Sequence, residues 1–353
     1  MPQTGDVLAL YGSYGFTGSL IAHAAVEAGV PLLLCGRNGR RLAAQAARLS
    51  VDYCVASLDE PASLDSAFSR VRAVLNCAGP IADTVDGVVE ACLRARVHYL
   101  DLSGEMEVFE RLQRRSTEAR DAGIALVPGV GFDVVPTDCL ALHVARRLPE
   151  ASFLELAVQG VAGMSRGTAL TMLQAAPRGG YVRRQGALVQ VPAGWRTKTL
   201  DLGAGPVPLV SVPLADLSSA YYTTGIPNIT TYAAGPTLLR QLLRSTRVLR
   251  PLLASAWVQR GAAAALSLAM PPPKGDRRRQ AIARVWAQAV NSEGRTATAR
   301  MRTPEPYTLT VATALESARR AANGRVPPGF HTPALAFGPD YVLEFPDVVR
   351  EDL

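Results

Sequence analysis

This sequence predicts an α/β chain: an N-terminal parallel sheet wound on both faces, followed by a second α+β domain on an antiparallel sheet. Three observations carry that expectation. Up to about residue 130, short apolar runs alternate with helical patterns, as happens when buried parallel strands are joined by crossing helices. The first run, Val7-Leu8-Ala9-Leu10-Tyr11, feeds straight into a glycine-spaced turn, Gly12-Ser13-Tyr14-Gly15-Phe16-Thr17-Gly18. From Phe153 onward the runs instead alternate apolar and polar side chains, the pattern of a strand with one solvated face.

The elements follow in order. After the glycine turn a small-residue helix runs through Leu20-Ile21-Ala22 to Val26, and Pro31 to Gly36 is the second strand. An alanine-rich helix spans Leu42 to Leu49, and Val51 to Val55 is a strand. A helix opens at Asp59 with Pro61 in its first turn, where proline's fixed φ and missing N–H do no harm. Ala73 to Ala78 is a strand ending in Gly79-Pro80, and a helix covers Asp86 to Arg94. His98 to Leu102 is the fifth strand, Glu107 to Ala122 a charged surface helix, Gly123 to Pro128 the sixth strand, and Cys139 to Arg147 a helix. In the second domain strands are expected at Phe153–Val158, Ala187–Val191, Arg196–Leu200, Thr230–Ala234, Ala297–Arg302 and Tyr307–Ala312, with Ser165-Arg166-Gly167-Thr168 capping a helix. Domain limits of 1–135 and 136–335 result, with 336–353 packing back on the first domain.

Composition narrows the class. The chain has 353 residues, 48% hydrophobic and 19% charged, enough for two cores and too apolar for disorder. Cys35, Cys54, Cys77, Cys92 and Cys139 show no Cys-x-x-Cys spacing and read as reduced thiols of a cytoplasmic protein. His23, His98, His143 and His331 are scattered, so no metal site is expected. No signal peptide is expected ahead of the first strand. The net charge of +7 is concentrated: between Leu217 and Ser292 ten basic residues face one acidic residue, Asp276. No nucleic-acid-binding motif accompanies them. Over 235–270 the pattern is amphipathic, with Arg240, Arg244, Arg247 and Arg250 on one side and leucines on the other, Pro251 interrupting. This insert, taken as 235–285, is an ordinary core helix or a surface for an acidic protein or a membrane.

The turn Gly12-Ser13-Tyr14-Gly15-Phe16-Thr17-Gly18 suits a dinucleotide. Glycines let the backbone approach a pyrophosphate, and the following helix offers unpaired amides at its positive end. The second strand decides which dinucleotide. A carboxylate about 20 residues past the glycines would accept a ribose 2′-hydroxyl. The chain has Arg37 there, followed by Asn38, Arg40 and Arg41, and a guanidinium pairs with a 2′-phosphate. NADPH is the expected cofactor. Further loops at strand ends, Ala78-Gly79-Pro80, Ser103-Gly104-Glu105 and Gly129-Val130-Gly131-Phe132-Asp133, bring glycine backbone to the same edge, where it either packs under a flat nicotinamide or merely turns.

Together, Gly12-x-x-Gly15-Phe16-Thr17-Gly18, Gly36-Arg37-Asn38, Asn76-Cys77-Ala78-Gly79-Pro80, Tyr99-x-Asp101-x-x-Gly104-Glu105, Gly131-Phe132-Asp133-x-Val135-Pro136-x-Asp138 and Thr332-Pro333-Ala334-x-Ala336-Phe337-Gly338 resemble the saccharopine dehydrogenase-like oxidoreductases. The bacterial branch that includes trans-acting enoyl reductases is the nearer match. The resemblance implies an NADP-binding Rossmann domain, a second α+β domain and hydride transfer. It points to reduction of a C=C bond in an acyl or polyketide chain, either small or bound to an acidic acyl carrier that the basic 235–285 segment would steer. A C–N (imine/amine) oxidoreductase and a non-catalytic NADP(H) sensor are the alternatives. For the imine reading, Arg166, Arg178, Arg183 and Arg184 would bind substrate carboxylates. A short-chain dehydrogenase is excluded, because neither Lys198 nor Lys274 has a tyrosine four residues earlier. Enoyl reduction needs a donor for the developing oxyanion and a proton source. Glu105, Asp133, Tyr181 and Tyr222 are the catalytic candidates, with Ser103 and Thr168 as further donors. A cytoplasmic location, peripheral membrane contact and a homo-oligomer are compatible with this sequence.

Overall fold

A computed structural model describes residues 7–160, 179–234 and 281–353, together with Ser255, Trp257 and Gly261. The chain divides into two compact units, Met1–Cys139 with Tyr307–Phe345, and Leu140–Pro306 with Pro346–Leu353.

The first unit is built on β1 (Leu8–Tyr11), β2 (Leu32–Gly36), β3 (Asp52–Val55), β4 (Ala73–Asn76), β5 (His98–Asp101), β6 (Ala125–Val127) and, from far along the chain, β15 (Gly329–Phe330). All pair in parallel, in the order β15-β6-β5-β4-β1-β2-β3. Alternate side chains go to opposite faces, which explains why the strands read as continuous apolar runs. Ala9, Tyr11, Leu33, Cys35, Val74 and Tyr99 form one core with α3 (Pro61–Phe68), α4 (Ile81–Ala95), α5 (Met106–Arg114) and α6 (Ser116–Ala122). Leu8, Leu10, Leu32, Leu34, Leu75 and Leu100 form the other with α1 (Phe16–Glu27) and α2 (Gly39–Leu49). Each such leucine contributes about 1.5–3 kcal/mol by leaving water.

The second face is completed by a helix the sequence reading missed. Tyr307–Ala312, expected as a strand, lies inside an α-helix, Pro306–Ala322. Tyr-Thr-Leu-Thr-Val alternates as a strand would. Over the whole segment, however, the buried set is Leu309, Thr313, Ala314, Ser317, Ala318 and Ala321, one face of a helix. Its alanines join the core of Leu8 and Leu10. The first unit therefore ends not near 135 but with a return segment, Tyr307–Phe345. The expected 336–353 tail is divided: residues to Phe345 belong to the first unit, and Pro346–Leu353 to the second.

Smaller corrections concern element limits. The helix expected over 107–122 breaks at Arg115 into α5 and α6, and the one expected from Asp86 already begins at Ile81. α7 (Val135–Arg147) starts four residues before Cys139, carrying Pro136 in its first turn.

The second unit holds β7 (Phe153–Gln159), β8 (Gly180–Arg184), β9 (Ala187–Val191), β10 (Thr197–Asp201), β11 (Pro206–Ser211), β12 (Asn228–Ala234), β13 (Ala283–Val290), β14 (Thr296–Thr303) and β16 (Val349–Asp352). The main path is β10-β11-β12-β7-β13-β14-β16, with the β8–β9 hairpin joined to β12. The sheet is mixed rather than purely antiparallel, because β12 runs parallel to β7. α8 (Asp216–Thr224) precedes β12, and β13 begins inside the range given to the basic insert. The helix expected at Ser165–Thr168 and most of the insert, with Arg244 and Arg247, lie outside the described residues. Among the described residues no helix is long and apolar enough to cross a membrane.

Candidate functional site

β1 sits between β2 and β4, where the strand order reverses, so the turn after β1 opens at the switch point of the sheet. The three glycines there have different physical reasons. Gly12 has φ +81°, and a Cβ on it would lie 2.7 Å from the Cα and N of Ala78. A Cβ on Gly18 would come within 2.5 Å of the Gly12 carbonyl. Both are required by the protein's own packing. Gly15 is not: its Cβ would meet only the Gly12 carbonyl, at 3.2 Å. It is the N-cap of α1 and has no side chain with which to cap that end. A helix N-terminus behind an open glycine is a cradle that a pyrophosphate fits.

The remaining turn residues divide between scaffold and ligand-facing positions. The Ser13 hydroxyl is buried and donates to Gln45 Oε1 at 2.9 Å, while Gln45 Nε2 donates to the Ser13 carbonyl at 2.9 Å. Ser13 thus anchors the turn to α2, and its hydroxyl is not held out for a phosphate. The Tyr14 ring lies against Gly36, and Arg41 donates to the Tyr14 carbonyl at 3.2 Å with its guanidinium 4.7 Å from the ring centre. Asn38 caps α2, its Oδ1 accepting from the Arg41 amide at 3.0 Å. Arg41 and Asn38 therefore shape the site. Arg37 and Arg40 are exposed and have no hydrogen-bond or ion-pair partner among the described residues, which leaves their charges available to a 2′-phosphate. Thr17 is partly buried; Phe16 is 55% exposed and meets Tyr307 edge-on, ring centres 5.2 Å apart.

Beside the turn a buried polar chain joins the strand ends. Asn76 Oδ1 accepts from the Ala78 amide at 3.0 Å, and its Nδ2 donates to Thr84 Oγ1 at 3.0 Å and the Tyr99 hydroxyl at 3.3 Å. Tyr99 donates to Asp101 Oδ2 at 2.8 Å. Asp101 Oδ1 accepts from the amides of Ser103 (2.8 Å) and Gly129 (2.9 Å). Burial pushes the Asp101 carboxyl up to about 6 against the pull of the Gly129, Ser103 and Tyr99 hydrogen bonds. Burial likewise raises the neighbouring Cys77 thiol, which keeps it protonated.

The four catalytic candidates have different fates. Glu105 Oε2 accepts from the Ala82 amide at 3.0 Å, so it caps the first turn of α4; burial raises its carboxyl. The Ser103 hydroxyl accepts from the Glu105 amide at 3.1 Å and is buried. Asp133 is open to solvent, stands against Gly104 with Oδ2 3.3 Å from where a Cβ would be, and has no hydrogen-bond or ion-pair partner among the described residues. The surrounding protein still desolvates its carboxyl enough to raise it above 3.8. The Asp133 loop is braced by the return segment: Thr310 Oγ1 accepts from the Phe132 amide at 3.0 Å, Thr313 Oγ1 donates to the Val130 carbonyl at 2.8 Å, and the Ala334 amide donates to Asp138 Oδ2 at 2.8 Å. Tyr181 and Tyr222 lie in the second unit, on β8 and α8, both half-buried. Arg183 is 4% exposed, donates to the Gly186 carbonyl at 2.7 Å and stacks on Tyr221 at 4.1 Å, so it is spent on structure; Arg184 is exposed. Arg166, Arg178 and Thr168 lie outside the described residues.

Residues 8–127 match the family described as the saccharopine dehydrogenase NADP binding domain. That stretch, β1 to β6 of the first unit, is what resembles an NADP-binding domain. A trans-acting enoyl reductase of Mycobacterium ulcerans is 32% identical over 158 residues, 42% of this chain and 38% of that one. A probable mitochondrial saccharopine dehydrogenase-like oxidoreductase of Arabidopsis thaliana is 32% identical over 157 residues, 40% of this chain and 35% of that one. The matches thus span well under half the length of these relatives. Apo saccharopine dehydrogenase (L-Glu forming) from Saccharomyces cerevisiae shares the fold, with a TM-score of 0.71 at 11% identity, over 99% of this chain and 100% of that one.

The NADP-binding domain explains the division of labour among the predicted residues. Gly12, Gly18, Ala78, Tyr14 and Asn38 shape the turn, while Gly15 and Arg37 face outward from it. Bound there, NADP(H) would be held by the α1 amides and by Arg37, and it would supply a hydride. Gly79 has no atom within 4 Å of its added Cβ, and Pro80 is the N-cap of α4. Sequence reasoning missed Gln45, Thr310 and Thr313 as supports. Nothing in their local sequence marks them, since their partners are 32, 178 and 183 residues away.

Proposed function

We propose that the chain is an NADPH-dependent reductase of a polarised C=C bond in an acyl chain. Asp133 carries this reading. It is a carboxyl at the C-terminal edge of the sheet with no hydrogen-bond or ion-pair partner among the described residues, and its pKa is raised in the direction that keeps a proton available. When hydride adds at the β-carbon of an enoyl thioester, charge develops on the carbonyl oxygen and the α-carbon needs a proton. Asp133 supplies that proton, and Gly104, whose missing side chain leaves room at the carboxyl, lets the acyl chain approach it. The relatives named trans-acting enoyl reductases support the same reading. A dicarboxylated amino-acid substrate is less well supported, because Arg183 is already bonded within its own unit. The ten-to-one excess of basic residues between Leu217 and Ser292 favours delivery of the acyl chain by an acidic carrier.

The test is NADPH consumption by the full chain with enoyl thioesters, free and carrier-bound, against paired 2-oxo acids and amines. Consumption with the enoyl series supports the proposal. Consumption only with the oxo acid and amine pairs would replace it with imine reduction. Charge reversal at Arg244 and Arg247 should slow turnover of the carrier-bound substrate alone.

A further inference from the structure

Asp101 is the last residue of β5 and the register partner of Asn76, the last residue of β4. Both are 0% exposed, so neither touches a ligand. Burying an ionisable carboxyl without a cation is expensive, and Asp101 has no ion pair among the described residues. The titratable groups around it are Tyr99, Cys77 and Glu105, none of them basic. A packed apolar side chain would serve a core strand better. What the carboxyl gains is acceptors for backbone: Ser103 and Gly129 directly, and Ala78 through Tyr99 and Asn76. The Asp101 carbonyl also accepts from the Val130 amide at 2.9 Å. Loops leaving three adjacent strands, β4, β5 and β6, are therefore fastened to one side chain.

We propose that Asp101 is a positioning residue that fixes these three loops as the floor for the nicotinamide half of the cofactor. The location separates its role from that of the turn. In the strand order, β4, β5 and β6 lie on one side of β1, and β2 with Arg37 lies on the other. A dinucleotide laid across the switch point puts its 2′-phosphate half over β2 and its nicotinamide half over β4 to β6. Loss of Asp101 then damages one half of the site and spares the other.

The experiment titrates the full chain with NADPH and, separately, with 2′,5′-ADP, which lacks the nicotinamide half. Asp101→Ala should weaken NADPH at least about tenfold, as expected for loops displaced by an ångström, and leave 2′,5′-ADP within about twofold. Asp101→Asn keeps Oδ1 for the Ser103 and Gly129 amides and should recover most of the NADPH affinity. Tyr99→Phe removes the hydroxyl that joins Asp101 Oδ2 to Asn76, leaves the Ser103 and Gly129 bonds in place, and should show the same selective loss at smaller size; it reads the proposal even where Asp101→Ala fails to fold. Leu64→Ala, a core truncation in the same unit, should lower the melting temperature and change neither affinity. Equal losses for both probes, or unchanged NADPH affinity in Asp101→Ala and Tyr99→Phe, would overturn the proposal. Because no acceptor substrate is used, failure here is distinct from failure of the enoyl reading.

Discussion

Replacing Gly15 with alanine separates cofactor binding from folding in a way that few changes in this turn can. Gly15 has φ −68° and ψ 171°, which alanine adopts without strain. The added Cβ would lie 3.2 Å from the Gly12 carbonyl, a crowding relieved by a shift of a few tenths of an ångström. Alanine is a poorer N-cap than glycine, but it also loses less backbone freedom on folding. The two effects are each about 0.5–1 kcal/mol and opposed, so stability should change by less than about 1 kcal/mol. The methyl group, however, would stand where a pyrophosphate approaches the α1 amides. Losing one charge-assisted hydrogen bond costs about 1.5–3 kcal/mol, or roughly a ten- to hundredfold weaker NADPH complex. Gly12→Ala is the contrast, since its positive φ alone costs about 1–2 kcal/mol and its Cβ would overlap the Ala78 backbone. That variant should lose stability and affinity together. Thermal melts and nicotinamide fluorescence titrations read both quantities. Should Gly15→Ala bind NADPH within twofold of the parent, or melt as early as Gly12→Ala, the assignment of Gly15 to the ligand is wrong.

Other outcomes follow from the same geometry. Arg37→Ala should weaken NADPH by about ten- to a hundredfold while leaving NADH binding and the melting temperature unchanged, because the guanidinium has no hydrogen-bond or ion-pair partner among the described residues to lose. Asp133→Asn should lower kcat by about 10²–10⁴ at unchanged NADPH affinity. It should also remove the alkaline limb of the pH–rate profile, since a proton donor is lost as pH rises through its raised pKa. Asp101 gives a linkage signature: its carboxyl titrates near about 6 in the fold against an ordinary 3.8. The folded state takes up that proton first, so its contribution to stability grows as pH falls from about 6 towards 4 and is absent in Asp101→Asn. Urea unfolding should show the difference between the two proteins moving in the parent's favour by up to about 3 kcal/mol over that range.

What the sequence showed clearly was local. Leu8 to Tyr11 and Gly12 to Gly18 carry strand, turn and helix in contiguous residues, and the structure keeps all three. Arg37 follows for the same reason, as the residue directly after β2. What stayed hidden depends on partners far along the chain. Tyr307–Ala312 alternates like a strand, yet it lies in a helix whose Ala314, Ala318 and Ala321 join the core of Leu8 and Leu10. The parallel pairing of β7 with β12 joins residues some 75 positions apart, such as Glu155 and Thr230, which no short pattern announces. Ser13 and Glu105 looked like ligand groups because both sit in functional loops. Their side chains are turned to Gln45 and to the Ala82 amide, choices visible only in three dimensions.

The return segment has a bearing on how the chain comes into being. β1 to β6 are complete once Val127 has been made, yet the face bearing Leu8, Leu10, Leu75 and Leu100 lacks its Ala314, Ala318 and Ala321 cover until nearly 200 further residues have been added. During synthesis the sheet must wait with greasy leucines bared while Leu140–Pro306 of the second unit is translated. A fragment ending at Cys139 should accordingly be insoluble when expressed alone, and become soluble when residues 307–345 are supplied as a second polypeptide.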